Sequence, residues 1–186
     1  MIRSFVALHV SLPDPLRDIY DELSEEFSRG FKWVPENQVH LTIKFLGDTN
    51  SLQVEQIKKA VAVIAGNVEP LSLYVKGIGA FPNLKNPTVV WAGIEKNERL
   101  EKLFLDVNDA AYNAGFETEL HTYKPHLTLA RIKRDVDTSI LAKRIISLKD
   151  NDYGCFTCET VTYFESQLFP TGPIYKKLGE YRMGKF

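Results

Sequence analysis

The tetrapeptide His40-Leu41-Thr42-Ile43 returns as His126-Leu127-Thr128-Leu129, so two of the chain's four histidines stand in two copies of one frame. Polar and apolar residues alternating in this way describe an extended strand with one buried face. Successive side chains on such a strand alternate, so His40 and Thr42 share one surface, roughly 6.7 Å apart, while Leu41 and Ile43 face the other. Strict alternation also puts Lys44 in phase with His40 and Thr42. A fold that sets the two strands side by side aims two imidazoles and two hydroxyls at one volume, which suits acid and base work on a phosphate group.

Around each motif the chain alternates strand and helix signals. Met1 to Val10 reads as a first strand. Leu16, Ile19, Tyr20, Leu23 and Phe27 then mark an amphipathic helix opened by Pro13 and Pro15 and ended by Gly30. Val39 to Leu46 is the first motif strand, and Leu52, Ile57, Ala60, Val61 and Ile64 predict a second helix. Leu71 to Ala80 and Thr88 to Ile94 read as a hairpin, and Glu98 to Ala114 as a third helix closed by Gly115. After the second motif strand come a fourth helix over Val136 to Leu148, a strand over Cys155 to Phe169, the turn Pro170-Thr171-Gly172-Pro173 and a last strand over Ile174 to Met183. Each half thus offers a motif strand, a following helix and a long strand pair. The pattern predicts an α+β fold: a duplicated, bilobal unit with a cleft between two sheets. No linker-like tract separates the halves, so residues 1–186 are expected to pack as one domain.

A chain of 186 residues can bury a core without disulfides or metal. Its net charge of −1 excludes an overall basic field for tracking along nucleic acid, and any such contact must use a local basic lining. The N-terminal run lacks a small-residue cleavage site and no segment approaches a membrane span, so a cytoplasmic protein with no membrane attachment is expected. A monomer is expected as well. Cys155 and Cys158 form one CxxC without a second pair or a nearby histidine, and in a strand they face opposite sides; packing is expected of them rather than zinc or redox chemistry. There is also no HExxH, no HxH and no GxSxG turn. Gly77-Ile78-Gly79 is read as strand bending or close packing, His9 as a locally packed or hydrogen-bonded strand residue, and His121 as loop before the motif.

An imidazole titrates near pH 6.5, so modest changes of environment make one of a pair the donor and the other the acceptor. For a cyclic phosphodiester, the neutral ring takes a proton from water while the imidazolium protonates the departing ribose oxygen, and the threonine hydroxyls donate to nonbridging oxygens. Neither a metal nor another cofactor is required.

With both HxT motifs in hand, the chain resembles the 2′-5′ RNA ligase family of two-histidine phosphoesterases, also described as RNA 2′,3′-cyclic phosphodiesterases. The likeness includes Arg3-Ser4-Phe5-Val6-Ala7, Phe45-Leu46-Gly47, Phe81-Pro82, Val90-Trp91-Ala92-Gly93, Lys124-Pro125 and the closing Ser166-Gln167-Leu168 and Pro170 to Tyr175. It implies two antiparallel sheets flanking a central cleft, helices on the outer faces, and hydrolysis of RNA or small-nucleotide 2′,3′-cyclic phosphates to 2′-phosphates. In that scheme His40 is the proton donor and His126 the acceptor. Thr42 and Thr128 hold phosphate oxygens, Phe45 and Arg131 line the same pocket, and Tyr175 shapes its base end. Strict alternation places Arg131 on the face opposite His126, so its inclusion needs a bulge or a strand end. Thr88 stands where relatives are expected to carry arginine. Two alternatives remain: ligation of RNA halves through 2′-5′ linkages, and a non-catalytic module that binds RNA ends or nucleotides.

Overall fold

The computed structural model describes residues 1–118, 122–133, 136–169 and 172–184. Its elements run β1 (Ile2–His9), α1 (Asp14–Glu26), β2 (Phe31–Trp33), a 3₁₀ turn (Glu36–Gln38), β3 (His40–Thr49), α2 (Ser51–Gly66), β4 (Leu71–Phe81), β5 (Val89–Ile94), α3 (Glu98–Asn113), β6 (His126–Ile132), α4 (Ser139–Leu148), β7 (Asp152–Cys158), β8 (Thr160–Phe169) and β9 (Gly172–Arg182). His121 and the turn residues Pro170 and Thr171 lie outside the described residues.

The strands pair antiparallel in the order β7-β4-β5-β6-β3-β1-β8-β9, with β2 added to β6. This is the expected bilobal arrangement, and its seam is narrow. The two motif strands, β3 and β6, meet through the single pair Leu41↔Leu127. One lobe is β3-β1-β8-β9, covered by α2 and α3; the other is β6-β5-β4-β7 with β2, covered by α1 and α4. Helices α1 and α3 each cross over to the lobe that their preceding strand does not belong to.

Amphipathic periodicity seats each helix. Leu16, Ile19 and Leu23 bury one face of α1, and Leu100, Leu103, Val107 and Ala111 one face of α3. A fully buried leucine contributes roughly 2 kcal/mol, so these stripes supply more than any surface ion pair. Asn50 caps α2 by accepting from the Gln53 amide, while the Gln53 side chain accepts from the Asn50 amide.

Several expectations are corrected. The run Cys155 to Phe169 is not one strand: β7 pairs with β4 in one lobe and β8 with β1 in the other, and the chain crosses between lobes at the exposed Glu159. No glycine or proline marks that crossing, so alternation alone reads through it. β2 was not anticipated, because three residues carry no period, and α4 starts at Ser139 rather than Val136. The His9 side chain is exposed, not packed. Cys155 is exposed and Cys158 buried on the opposite face, where burial pushes its thiol up to about 12. Gly77 bulges β4 at positive φ, and a Cβ on Gly79 would sit 2.2 Å from the Trp91 indole. Both glycines therefore have the bending and close-packing roles expected of them. Among the described residues, no helix is long and apolar enough to cross a membrane.

Candidate active site

Both motif strands carry the same irregularity at the same place. On β3, Thr42 pairs with Ala7 and Lys44 with Val6, leaving Ile43 as an extra residue. On β6, Thr128 pairs with Trp91 and Ala130 with Val90, leaving Leu129 as an extra residue. Each bulge lies three positions after the motif histidine and reverses the phase of the residues beyond it. His40 to Phe45 and His126 to Arg131 accordingly show one exposure sequence: half-buried, buried, half-buried, buried, buried, exposed.

This shift settles two positions. Lys44, in phase with His40 by strict alternation, is turned to the interior and is only 3% exposed, with its Nζ donating to the Glu117 carbonyl at 3.4 Å. Phe45 and Arg131 return to the face of the histidines. Arg131 lies close enough to act electrostatically on His40, His126 and Tyr175, and among the described residues no carboxylate forms an ion pair with it.

Antiparallel register about Leu41↔Leu127 sets Thr128 across from His40 and Thr42 across from His126, all on one face. The rings are anchored alike. His40 Nδ1 lies 2.8 Å from the Gln38 carbonyl and His126 Nδ1 lies 2.7 Å from the Lys124 carbonyl, each two residues upstream. A carbonyl only accepts, so each Nδ1 carries the hydrogen and donates it, and each Nε2 is left for the cleft.

Aromatic walls hold both rings. His40 packs against Phe5 at 5.1 Å and edge-on against Tyr175 at 5.2 Å; His126 packs edge-on against Phe81 at 5.0 Å and beside Trp91 at 6.4 Å. Tyr175 is thus a wall of the His40 site. Burial pushes the His40 pKa below its ordinary value, opposed by the hydrogen bond to Gln38 and reinforced by Arg131 and His126. His126 is likewise lowered, first by burial and also by Arg131, against the pull of the Lys124 carbonyl. A cavity of about 490 Å³ opens beside Thr42, Phe45, Tyr123, Lys124 and His126. Phe45, 62% exposed, projects at its edge.

Sequence reasoning did not single out Phe5 or Tyr123. Tyr123 stacks on Phe104 at 4.1 Å and donates through its hydroxyl to the Thr42 carbonyl at 3.0 Å, tying the loop before β6 to β3. Its only sequence signal is an aromatic three residues before a motif histidine. Thr88 is exposed and donates to the Phe81 carbonyl at 3.3 Å. No group of three or more His, Cys, Asp or Glu residues able to hold a metal is gathered among the described residues.

The sequence model of the LigT like phosphoesterases matches residues 6–91 and again 93–175, each match holding one HxT motif. An RNA 2′,3′-cyclic phosphodiesterase of Methanocaldococcus jannaschii is 32% identical over 97% of this chain and 100% of its own length. One from Thermotoga maritima is 31% identical over 96% and 94%. A crystal structure of a Thermus thermophilus protein superimposes with a TM-score of 0.80 at 25% identity, covering 97% of both chains. The crystal structure of E. coli LigT complexed with 3′-AMP does so at 0.71 and 20% identity over 98% of both, a likeness of fold. The chain belongs to the LigT-like phosphoesterase family.

Proposed function

We propose that this LigT-like phosphoesterase hydrolyses the 2′,3′-cyclic phosphate of RNA ends or small nucleotides to a 2′-phosphate, with His40 and His126 as a metal-independent acid–base pair. The observation that carries the reading is the twofold repetition of a whole local structure: bulge, carbonyl-anchored Nδ1, cleft-side Nε2 and facing threonine. Relatives sharing about 30% of residues over nearly the full chain and named RNA 2′,3′-cyclic phosphodiesterase support the substrate class.

In the reaction, Nε2 of His126 takes a proton from water as its oxygen bonds to phosphorus, and Nε2 of the protonated His40 gives its proton to O3′ as the P–O3′ bond breaks. The product carries the phosphate on O2′ and a free 3′-hydroxyl. His126 leaves the step protonated and His40 neutral, and exchange with solvent restores both. Thr42 and Thr128 donate to the nonbridging oxygens, Arg131 offsets the developing charge, and Phe45 and Tyr175 give the nucleoside apolar and aromatic surface.

The test is an oligonucleotide with a 2′,3′-cyclic end, incubated with excess chelator and followed by phosphorus NMR. A 2′-phosphate product is expected, and retention of full activity by His40→Ala or His126→Ala sinks the assignment. Adding a 5′-hydroxyl acceptor checks for 2′-5′ joining, in which that hydroxyl takes the place of water, His126 accepts its proton and His40 still protonates the departing O3′.

A further inference from the structure

We infer that Lys32, with Lys133, holds the phosphodiester upstream of the reacting nucleotide, so that the enzyme prefers an RNA strand end to a free cyclic mononucleotide. The inference rests on the proposed cyclic phosphodiesterase reading and deepens it by choosing between its two substrate classes.

Lys32 is placed by register. β2 pairs with β6 as Lys32↔Arg131, between Phe31↔Ile132 and Trp33↔Ala130. Residues directly opposite on antiparallel strands project from one face, and Arg131 faces the histidines, so Lys32 does too, one strand spacing of about 5 Å across from Arg131 on the edge of β6 that β3 also occupies. Exposure agrees: Lys32 and Arg131 are exposed, and Phe31 and Ala130 are buried. Lys133, two residues beyond Arg131 and also exposed, donates its amide to the Gly30 carbonyl at 2.8 Å, so β2 and β6 stay in register past the strand end. Arg131, Lys32 and Lys133 therefore form a basic row leading from His126 to the rim.

A second observation reaches Lys32 from the other lobe. A Cβ on Gly172 would lie 2.7 Å from Lys32 Nζ, so the start of β9 comes down upon this lysine. Gly172 pairs with Phe169 and Tyr175 with Ser166, on the hairpin whose Tyr175 walls His40. Phe169, directly opposite Gly172 on that hairpin, shares the face that Gly172 turns to Lys32 and is 47% exposed. The row of cations thus ends beside an exposed apolar residue, the pairing of backbone charge and base surface that single-stranded nucleic acid uses. The overall charge of −1 makes this local row matter, because no general field attracts the strand.

The experiment compares kcat/KM for 2′,3′-cyclic AMP and for an adenosine trinucleotide ending in a 2′,3′-cyclic phosphate, with the full chain, Lys32→Ala, Lys32→Gln and Lys32→Ala/Lys133→Ala. The ratio of trinucleotide to mononucleotide is expected to fall roughly three- to tenfold in the Lys32 variants, chiefly through KM. The salt slope of the trinucleotide is expected to exceed that of the mononucleotide in the unsubstituted protein and to shrink by about 0.7 for each lysine removed. A ratio unchanged in the double variant, or equal salt slopes for the two substrates in the unsubstituted protein, overturns the inference. Absence of turnover on both substrates overturns the proposed activity instead. Lys32→Gln, with thermal melting, keeps the test valid if the alanine variant folds poorly.

Discussion

The two motif strands are alike in everything that orients an imidazole and unlike in what surrounds it. Bulge, anchoring carbonyl and threonine recur without change, yet the residue after the bulge pair is Phe45 on β3 and Arg131 on β6, and the inward residue before it is Lys44 on one and Ala130 on the other. The walls differ as well, Phe5 and Tyr175 against Phe81 and Trp91. The proposed proton transfers need fixed direction in both lobes, which the shared anchors supply. The proposed acid and base need different surroundings, and the unlike walls, together with Arg131 on β6 where β3 carries Phe45, supply an asymmetry that duplication alone lacks.

The largest test of this comparison removes the shared part. His40→Ala and His126→Ala are each expected to lower kcat about 10²- to 10⁴-fold, and the double variant little further, since the rings act as a unit. Multiplicative losses in the double variant would break the pairing of the lobes.

Next come the unlike positions. Arg131→Ala is expected to cost about 10- to 100-fold in kcat/KM, and Phe45→Ala only a few-fold, expressed as KM. Arg131→Ala also carries a signature in pH. The guanidinium disfavours protonation of both rings, so its removal raises both pKa values and moves the optimum of kcat/KM to higher pH, which Phe45→Ala does not do. A swap of these two outcomes would mean that charge is supplied from the other side of the cleft.

Much of this was legible in the sequence, and the remainder was hidden for a common cause. The HxT repeat, the helices and the hairpins follow from local period, and the faces of His40, Thr42, His126 and Thr128 from strict alternation. The bulges at Ile43 and Leu129 do not, because an extra residue is defined only against the partner strand, here β1 and β5. Lys44 was therefore placed on the wrong face, while Arg131 reached the cleft only by way of a bulge that the resemblance required and the alternation did not contain. Phe5 and Tyr175 join His40 from strands remote in sequence, which no window along the chain can bring together. The crossing at Glu159 was missed for the opposite reason: two strands of different lobes abut without a turn residue between them.

A smaller effect concerns the histidines as stability groups. Both have folded pKa values below the unfolded value of about 6.5, so the fold favours their neutral forms. Their contribution to stability is present in full above about pH 6.5 and is lost as pH falls through the lowered folded values. Chemical denaturation of the unsubstituted protein should therefore show stability falling on acidification below pH 6.5, less steeply in His40→Ala. In catalysis the same lowering places the optimum of kcat/KM on the acid side of neutrality. The bound phosphodiester anion favours the imidazolium, so the kcat profile is expected to lie at higher pH than that of kcat/KM.

The finest distinction between the lobes is Lys44 against Ala130. Because the bulge at Ile43 turns Lys44 inward, its stem is core and its role is structural. Lys44→Ala should then cost about 2 kcal/mol of stability in urea denaturation, through lost packing and the cavity left behind, and Lys44→Met should recover most of it. Neither substitution should change KM for a cyclic phosphate by more than about twofold, since the ammonium is not offered to the cleft. Strict alternation makes the reverse demand: a cleft-facing lysine would bind phosphate, and its removal would raise KM while leaving stability nearly untouched. One substitution measured both ways thus tests the phase reversal on both motif strands, and with it the place of Phe45 and Arg131 in the same site as the two imidazoles.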